Sequence, residues 1–165
     1  MLKKLIPYKY FWAVIKHKWF VFIIGRYFGV PIHRRILHDW SKFLPQNLWV
    51  YNTQFYCGGS NKFDFIWLKH QNLHDHHWEY WVPRTCHSSR MTKIEPLKMS
   101  HSATMEMLAD WFAASRSYNG KWPDENNWPW WDRNFNSIQL HKETKELLNY
   151  AKKSFYARNN ARTTG

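Results

Sequence analysis

Two cysteines in 165 residues are too few for a disulfide framework, and Cys57 and Cys86 form no CxxC pair that would suggest a zinc ribbon. A reducing, cytoplasmic setting suits such a chain. Glycine and proline are also scarce, at 6 and 7, which excludes a fibrous or loop-dominated protein. No apolar stretch is long enough to cross a bilayer. The longest near the start, Trp19 to Ile24 ("WFVFII"), follows Lys16, His17 and Lys18, so neither a signal peptide nor a transmembrane helix is expected. Acidic residues are outnumbered, with Asp plus Glu at 12 against 24 Lys plus Arg, a formal net charge of +12 before any of the 10 histidines protonates. The expected partner is anionic, a nucleotide or nucleic acid rather than a membrane.

Hydrophobic residues make up 44% and aromatics 19%, with 12 Trp, a composition that excludes disorder and predicts one folded domain. The domain is expected over residues 1–158, with a frayed, flexible tail at 159–165. Apolar positions recur at helical spacing from Tyr10 to Tyr27, where Val14, Val21 and Ile24 share a stripe. His17 lies on that stripe and should point into the core, where it needs a partner. Pro31 can open a second helix carrying "HRRILHDWSK", and "LWVYNTQFY" a third, ended by "CGGSN". Residues 63–81 lack Gly, Pro and strand alternation and predict a fourth helix bearing His70, His74, His76 and His77. A loop is expected over 82–96, a strong helix over 98–118 carrying Glu106 and Asp110 on one face, a packed irregular Trp-rich segment over 121–135, and a last helix over 141–157. No strand is expected. The fold class read from these elements is all-α, a bundle of about six helices.

Chemistry enters with the order of the polar residues. His17, the dipeptide His38-Asp39 within "LHDWSK", and Asp110 within "EMLADWF" follow one another on three predicted helices. This order resembles the HD-domain superfamily of metal-dependent phosphohydrolases, in which such residues converge on a divalent ion. "HDWSK" is similar to an HDxGK motif with Ser41 at the glycine, and "LADWF" to the family's ADxL helix. A closer resemblance is to short phage and bacterial proteins that carry HDxSK, HHWEYW and EMxxDW. The resemblance covers about residues 10–118. It implies an HD-like bundle with His17, His38, Asp39 and Asp110 as ligands and Asp39 at the centre of catalysis. A mixture of imidazole and carboxylate without thiolate suits Mn, Fe, Co, Ni or Zn.

His70, His74 and His77 are spaced i, i+4 and i+7 and would share a helical face. Some HD proteins hold further metals with extra histidines. By that resemblance His70 and His77 are candidate ligands, with His76 and Glu79 as alternates, for one or two ions in all. The same cluster could instead bind substrate phosphate, a role open to His74 and His76. Lys42 is placed either to reach a metal-held phosphate or to stand in solvent. Glu106, one turn before Asp110, could accept a proton from metal-bound water, orient a ligand imidazole, or lie on the surface.

The leading expectation is hydrolysis of a phosphate ester of a nucleotide or related compound. A di-iron HD-type oxygenase and a non-catalytic basic module binding nucleic acid or protein are the alternatives.

Overall fold

The computed structural model describes residues 7–83 and 95–163, with side chains as far as Asn159. Residues 1–6, Cys86 and most of the loop expected over 82–96 lie outside it. The fold is all-α. Seven helices follow in order: α1 Tyr8–Tyr27, α2 Ile32–Leu37, α3 Pro45–Tyr56, α4 Phe63–Leu73, α5 His101–Asn119, α6 Pro129–Asn134 and α7 Lys142–Thr163. Two single 3-10 turns, Trp40–Phe43 and Trp78–Trp81, lie between them, and no strand occurs among the described residues. No described helix is long and apolar enough to cross a membrane.

Local chemistry sets the ends of these helices. Pro45 and Pro129 open α3 and α6 at positions whose N–H would have no helical partner. The hydroxyl of Ser100 accepts from Ala103 N at the start of α5, and Gly120, at φ 74°, closes that helix in the left-handed conformation.

The long helices α1 and α5 pack against each other along the middle of the molecule, with α2 and α3 also against α1 and α7 against α5. Two apolar cores result. Tyr10 and Val14 of α1 join Leu48, Val50, Tyr51 and Ile66 in one, while Val21 and Ile24 join Ala103, Leu108, Phe112, Trp128 and Leu148 in the other. His17 falls between them, at the one stretch of α1 where neither core closes over the helix.

Four expectations are corrected here. The His-Asp pair is not helical: α2 stops at Leu37 and Asp39 adopts φ 55°, so the chain turns sharply and drives the Asp39 side chain inward. Lys42 therefore sits on a 3-10 turn after that break, not one turn along the same helix as His38. The fourth helix ends at Leu73, and His74 to His77 form a turn into the second 3-10 segment. The Trp-rich segment contains α6, and α7 runs to Thr163 because no Gly or Pro intervenes after Ala157.

Candidate metal centre

Five separate pieces of chain deliver the site: the middle of α1 (His17), the break after α2 (His38, Asp39), the last turn of α4 (His70), the turn that follows (His76, His77) and α5 (Glu106, Asp110). Asp39, wholly buried, stands at the centre, and its two oxygens face different neighbours. Oδ2 lies 3.5 Å from His38 Nε2 and 3.9 Å from His17 Nε2. Asp110 Oδ1 completes that side, 2.9 Å from His17 Nε2 and 3.6 Å from His38 Nε2. On the other side, Asp39 Oδ1 lies 3.1 Å from His70 Nε2 and 3.4 Å from His76 Nε2, and His77 Nε2 is 2.9 Å from His70 Nε2. Three sets of donor atoms mutually within 4.8 Å result: Asp39, His70, His76 and His77; His17, His38 and Asp110; His38, His76 and Glu106.

Buried polar atoms ordinarily find hydrogen-bond partners, so the exceptions are informative. Four of them meet here: His17 Nε2, His38 Nε2, His76 Nε2 and Asp39 Oδ1 have no hydrogen-bond partner. His17 Nε2 comes close to Asp110 without the alignment of a hydrogen bond. Three imidazole lone-pair positions and a carboxylate oxygen, converging without partners and without a thiolate, fit a divalent transition metal.

The far nitrogens of the rings are held by other groups. Glu106 Oε1 accepts from His38 Nδ1 at 2.9 Å and lies 3.2 Å from His76 Nδ1. Its Oε2 accepts from Arg34 Nε at 2.6 Å, and Arg34 also binds Asp75. With both Nδ1 atoms donating, Nε2 is in each ring the nitrogen that faces the ion position and coordinates once its proton is displaced. Ser41 does the same on the other side, its hydroxyl lying 2.9 Å from His70 Nδ1 and 2.8 Å from His74 Nε2. Lys18 donates to the carbonyls of Ile36 and His38, fixing the break that presents the His-Asp pair.

Charge follows position. Burial alone would raise the carboxyl pKa values, yet His38, Lys42 and His70 hold Asp39 well below the carboxylate range, the His38 and His76 rings lower Glu106, and His17 and His38 lower Asp110. Burial would likewise depress His38, but Asp39, Asp110 and Glu106 outweigh it and bring its pKa to about 10. His70, His77 and His74 go the other way, lowered mainly by burial, His74 to about 3. Those three rings are neutral, the form that ligates metal.

Residues 7–154 match a family described as DUF5662, a family of unknown function. The chain belongs to that family. No curated protein and no solved structure matches it. The stretch of this DUF5662 chain that matches includes every residue of the cluster.

All four residues implied by the HD resemblance come together, and so do His70 and His77. Of the others, His76 and Glu106 take one of the roles expected for them, as potential ligand and as orienting group, and the rest do not. His76 points its Nε2 at Asp39 as a potential ligand, not as a phosphate-binding group. His74 is turned away, bonded to Ser41, and touches no candidate ligand atom of Asp39. Glu106 is not placed as a proton acceptor, because both of its oxygens are engaged by His38, His76 and Arg34; it orients imidazoles. Glu79 faces Gln71, whose Nε2 donates to it at 2.6 Å, and belongs to none of the donor sets. Lys42 is neither solvated nor free, since its ammonium pairs with Asp39 Oδ2 at 2.5 Å. Arg34, Lys18 and the orienting hydroxyl of Ser41 were missed. Nothing in "HRRIL" separates Arg34 from Arg35, which instead bonds the Val30 and Phe22 carbonyls.

Proposed function

We propose that this chain is an HD-type, metal-dependent phosphohydrolase acting on a phosphate ester of a nucleotide or similar small molecule, with Asp39 shared between two ion positions. The observation that supports it is the convergence of four unpartnered buried donor atoms, with one donor set that includes Asp39 and a second, His17, His38 and Asp110, beside it. His17, His38, Asp39 and Asp110 would hold one ion, and Asp39, His70, His76 and His77 the other. Mn, Fe, Co, Ni or Zn suits such ligands. A bound divalent ion supplies an acidified water and neutralises charge on phosphorus.

The chain's own residues supply orientation and charge. Glu106 and Ser41 hold the imidazoles in the tautomer that leaves Nε2 free. Lys16 lines the cavity over the site, where an ammonium attracts a phosphate; Lys42 lies in the same lining but is paired with Asp39. In the hydrolysis, the oxygen of water bonds to phosphorus as the ester P–O bond breaks, and the proton lost by water is matched by one gained by the departing alcohol.

The test is metal analysis of the purified protein, followed by assays of phosphate release from nucleotide monoesters and of cleavage of nucleotide diesters, with each of the five metals. Wild type should retain metal and release phosphate, and Asp39→Asn should do neither. Iron with substrate-dependent oxygen uptake and no phosphate release would favour the oxygenase instead. Equal metal content in wild type and Asp39→Asn, with turnover in neither, would reject the enzyme reading.

A further inference from the structure

A cavity of about 670 Å³ opens above the metal centre, with His17, His77, Asp110 and Lys42 in its lining and rings contributed by α1, α3, α4 and α5 above them. Tyr51 and Trp67 lie in its walls, with the more exposed Phe55, Tyr56 and Tyr118 also lining it. Among the described residues its lining includes no Asn or Gln, and its single carboxylate, Asp110, belongs to the metal centre. Apart from the imidazoles of His17 and His77, which belong to the metal centre, the remaining polar groups are lysine ammoniums, hydroxyls and the single indole N–H of Trp67. Two of those hydroxyls, Tyr51 Oη and Ser117 Oγ, are buried without a hydrogen-bond partner, and Tyr51 is only 1% exposed.

These features define what the cavity can and cannot read. Selecting one nucleobase requires donors and acceptors matched to its edge, usually a bidentate amide, carboxylate or guanidinium. The described lining offers none away from the metal. Aromatic walls accept any flat ring by its face, and a hydroxyl can donate or accept as the ligand requires.

Resting on the phosphohydrolase reading, we propose that the cavity seats the leaving group of the ester as a flat aromatic ring system. It is held by ring faces and by the Tyr51 and Ser117 hydroxyls, without selection among nucleobases. The substrate class is then phosphate esters that carry an aromatic group, purine, pyrimidine or plain aryl alike.

The experiment measures kcat/KM of the Mn-loaded protein for adenosine monophosphate, cytidine monophosphate, naphthyl phosphate and ribose phosphate. It also measures calorimetric binding of naphthylmethylphosphonate, which cannot be hydrolysed. The three aromatic esters should fall within about tenfold of one another, and ribose phosphate about ten- to a hundredfold below them, the loss of one stacked ring. Phe55→Ala and Tyr118→Ala, both at exposed positions, should weaken phosphonate binding severalfold. Tyr51→Phe, which removes only an unpartnered hydroxyl, should weaken it too while leaving the thermal transition in place. Ribose phosphate turned over as well as the aromatic esters, or one base preferred about a thousandfold, overturns the inference and leaves the hydrolase reading standing. Phosphonate binding that is sensitive to these variants, with no ester hydrolysed, upholds the aromatic seat and overturns the hydrolase. Absence of both overturns both.

Discussion

Glu106→Gln tests whether the imidazoles are positioned for coordination or merely packed. The two histidine contacts fall on Oε1 and the arginine contact on Oε2. Glutamine keeps one acceptor and turns the other into a donor. If its oxygen stays with His38 and His76, its NH2 faces Arg34 Nε–H, donor against donor. If it flips, the NH2 faces the two Nδ1 atoms and favours the tautomers that carry the proton on Nε2, where the metal should bind. Either way the arrangement loses an interaction that it cannot replace. Removing an outer partner of a ligand imidazole typically weakens metal binding about 10- to 100-fold, roughly 1.4–2.7 kcal/mol. Stability changes less, because Arg34 keeps Asp75. One charge-assisted hydrogen bond, about 1.5 kcal/mol, is lost, which lowers the Tm of a chain this size by about 3–6 °C. Competition of Mn against a chelating dye reads the affinity, and calorimetry reads the Tm. Arg34→Met leaves the carboxylate on both rings and should cost less affinity than Glu106→Gln. Unchanged Mn affinity in Glu106→Gln would refute the orienting role and the tautomer argument with it.

Asp39→Asn keeps a residue type that tolerates φ 55° but removes the shared charge, so metal content by plasma mass spectrometry should collapse while circular dichroism is retained; Asp39→Ala adds backbone strain of about 1 kcal/mol and is the less clean variant. Ser41→Ala deprives His70 Nδ1 and His74 Nε2 of their common partner, and Co titration should show the step on the His38 side kept and the one on the His70 side weakened about tenfold; two unchanged steps would remove Ser41 from the site. Metal affinity should rise with pH, because His38, at about 10, must release the Nε2 proton that the ion replaces, giving about tenfold per pH unit for each proton displaced; a flat profile between about pH 6 and 9 would contradict it. For the metal-free protein, His38, raised above its ordinary value of 6.5, stabilises fully below that value and loses this contribution as pH rises through about 10. Asp39, Glu106 and Asp110, all depressed, stabilise above the ordinary carboxylate range and lose it as pH falls. His70, His74 and His77, all lowered, contribute above their ordinary value of 6.5 and lose this as pH falls below it, so the Tm should peak near pH 6.5 and fall on both sides.

Most helices were legible because apolar residues recur at helical spacing and Gly and Pro fall mainly between the helices, and the position of His17 on the stripe of Val14 and Val21 already pointed it inward. His70 and His77 were chosen for a helical spacing that the structure does not keep. Both reach the site because α4 stops at Leu73 and the following turn carries His77 back over His70. The same turn brings His76 inward and, through Ser41, holds His74 out, an outcome that depends on where a helix ends, the least readable feature of a sequence. The break at His38-Asp39 was hidden for a related reason. Nothing in "LHDWSK" forbids a helix locally, and the left-handed Asp39 is held by contacts from elsewhere, Lys18 on the carbonyls before it and Asn47 on that of Ser41. Arg34 and Glu106 met across a separation that periodicity does not report.

The distribution of charge explains why the two sides of Asp39 differ. Three carboxylates, Asp39, Glu106 and Asp110, lie around His38, while Lys42 and Arg34 reach them from the edge. Those two cations do not suffice, because Arg34 is shared with Asp75. Protons on His38 and His76, whose affinity for them is raised, supply the rest. These protons belong on ring nitrogens that also face the candidate ion position, so proton and metal compete for the same lone pairs and neutralise the same carboxylates. Across Asp39 no second carboxylate accompanies His70 and His77, and their rings stay neutral. An ion on the His70 side displaces no proton from these two rings but does displace the one on His76, the third ring of that set, while an ion beside His38 displaces the proton that His38 holds. Each position therefore releases a proton as it fills, and both should bind more tightly as the pH rises. Co titrations at about pH 6 and 8.5 test this through the ligand-field bands of each step. A step with the same affinity at both pH values would show that the ring on its side carries no such proton.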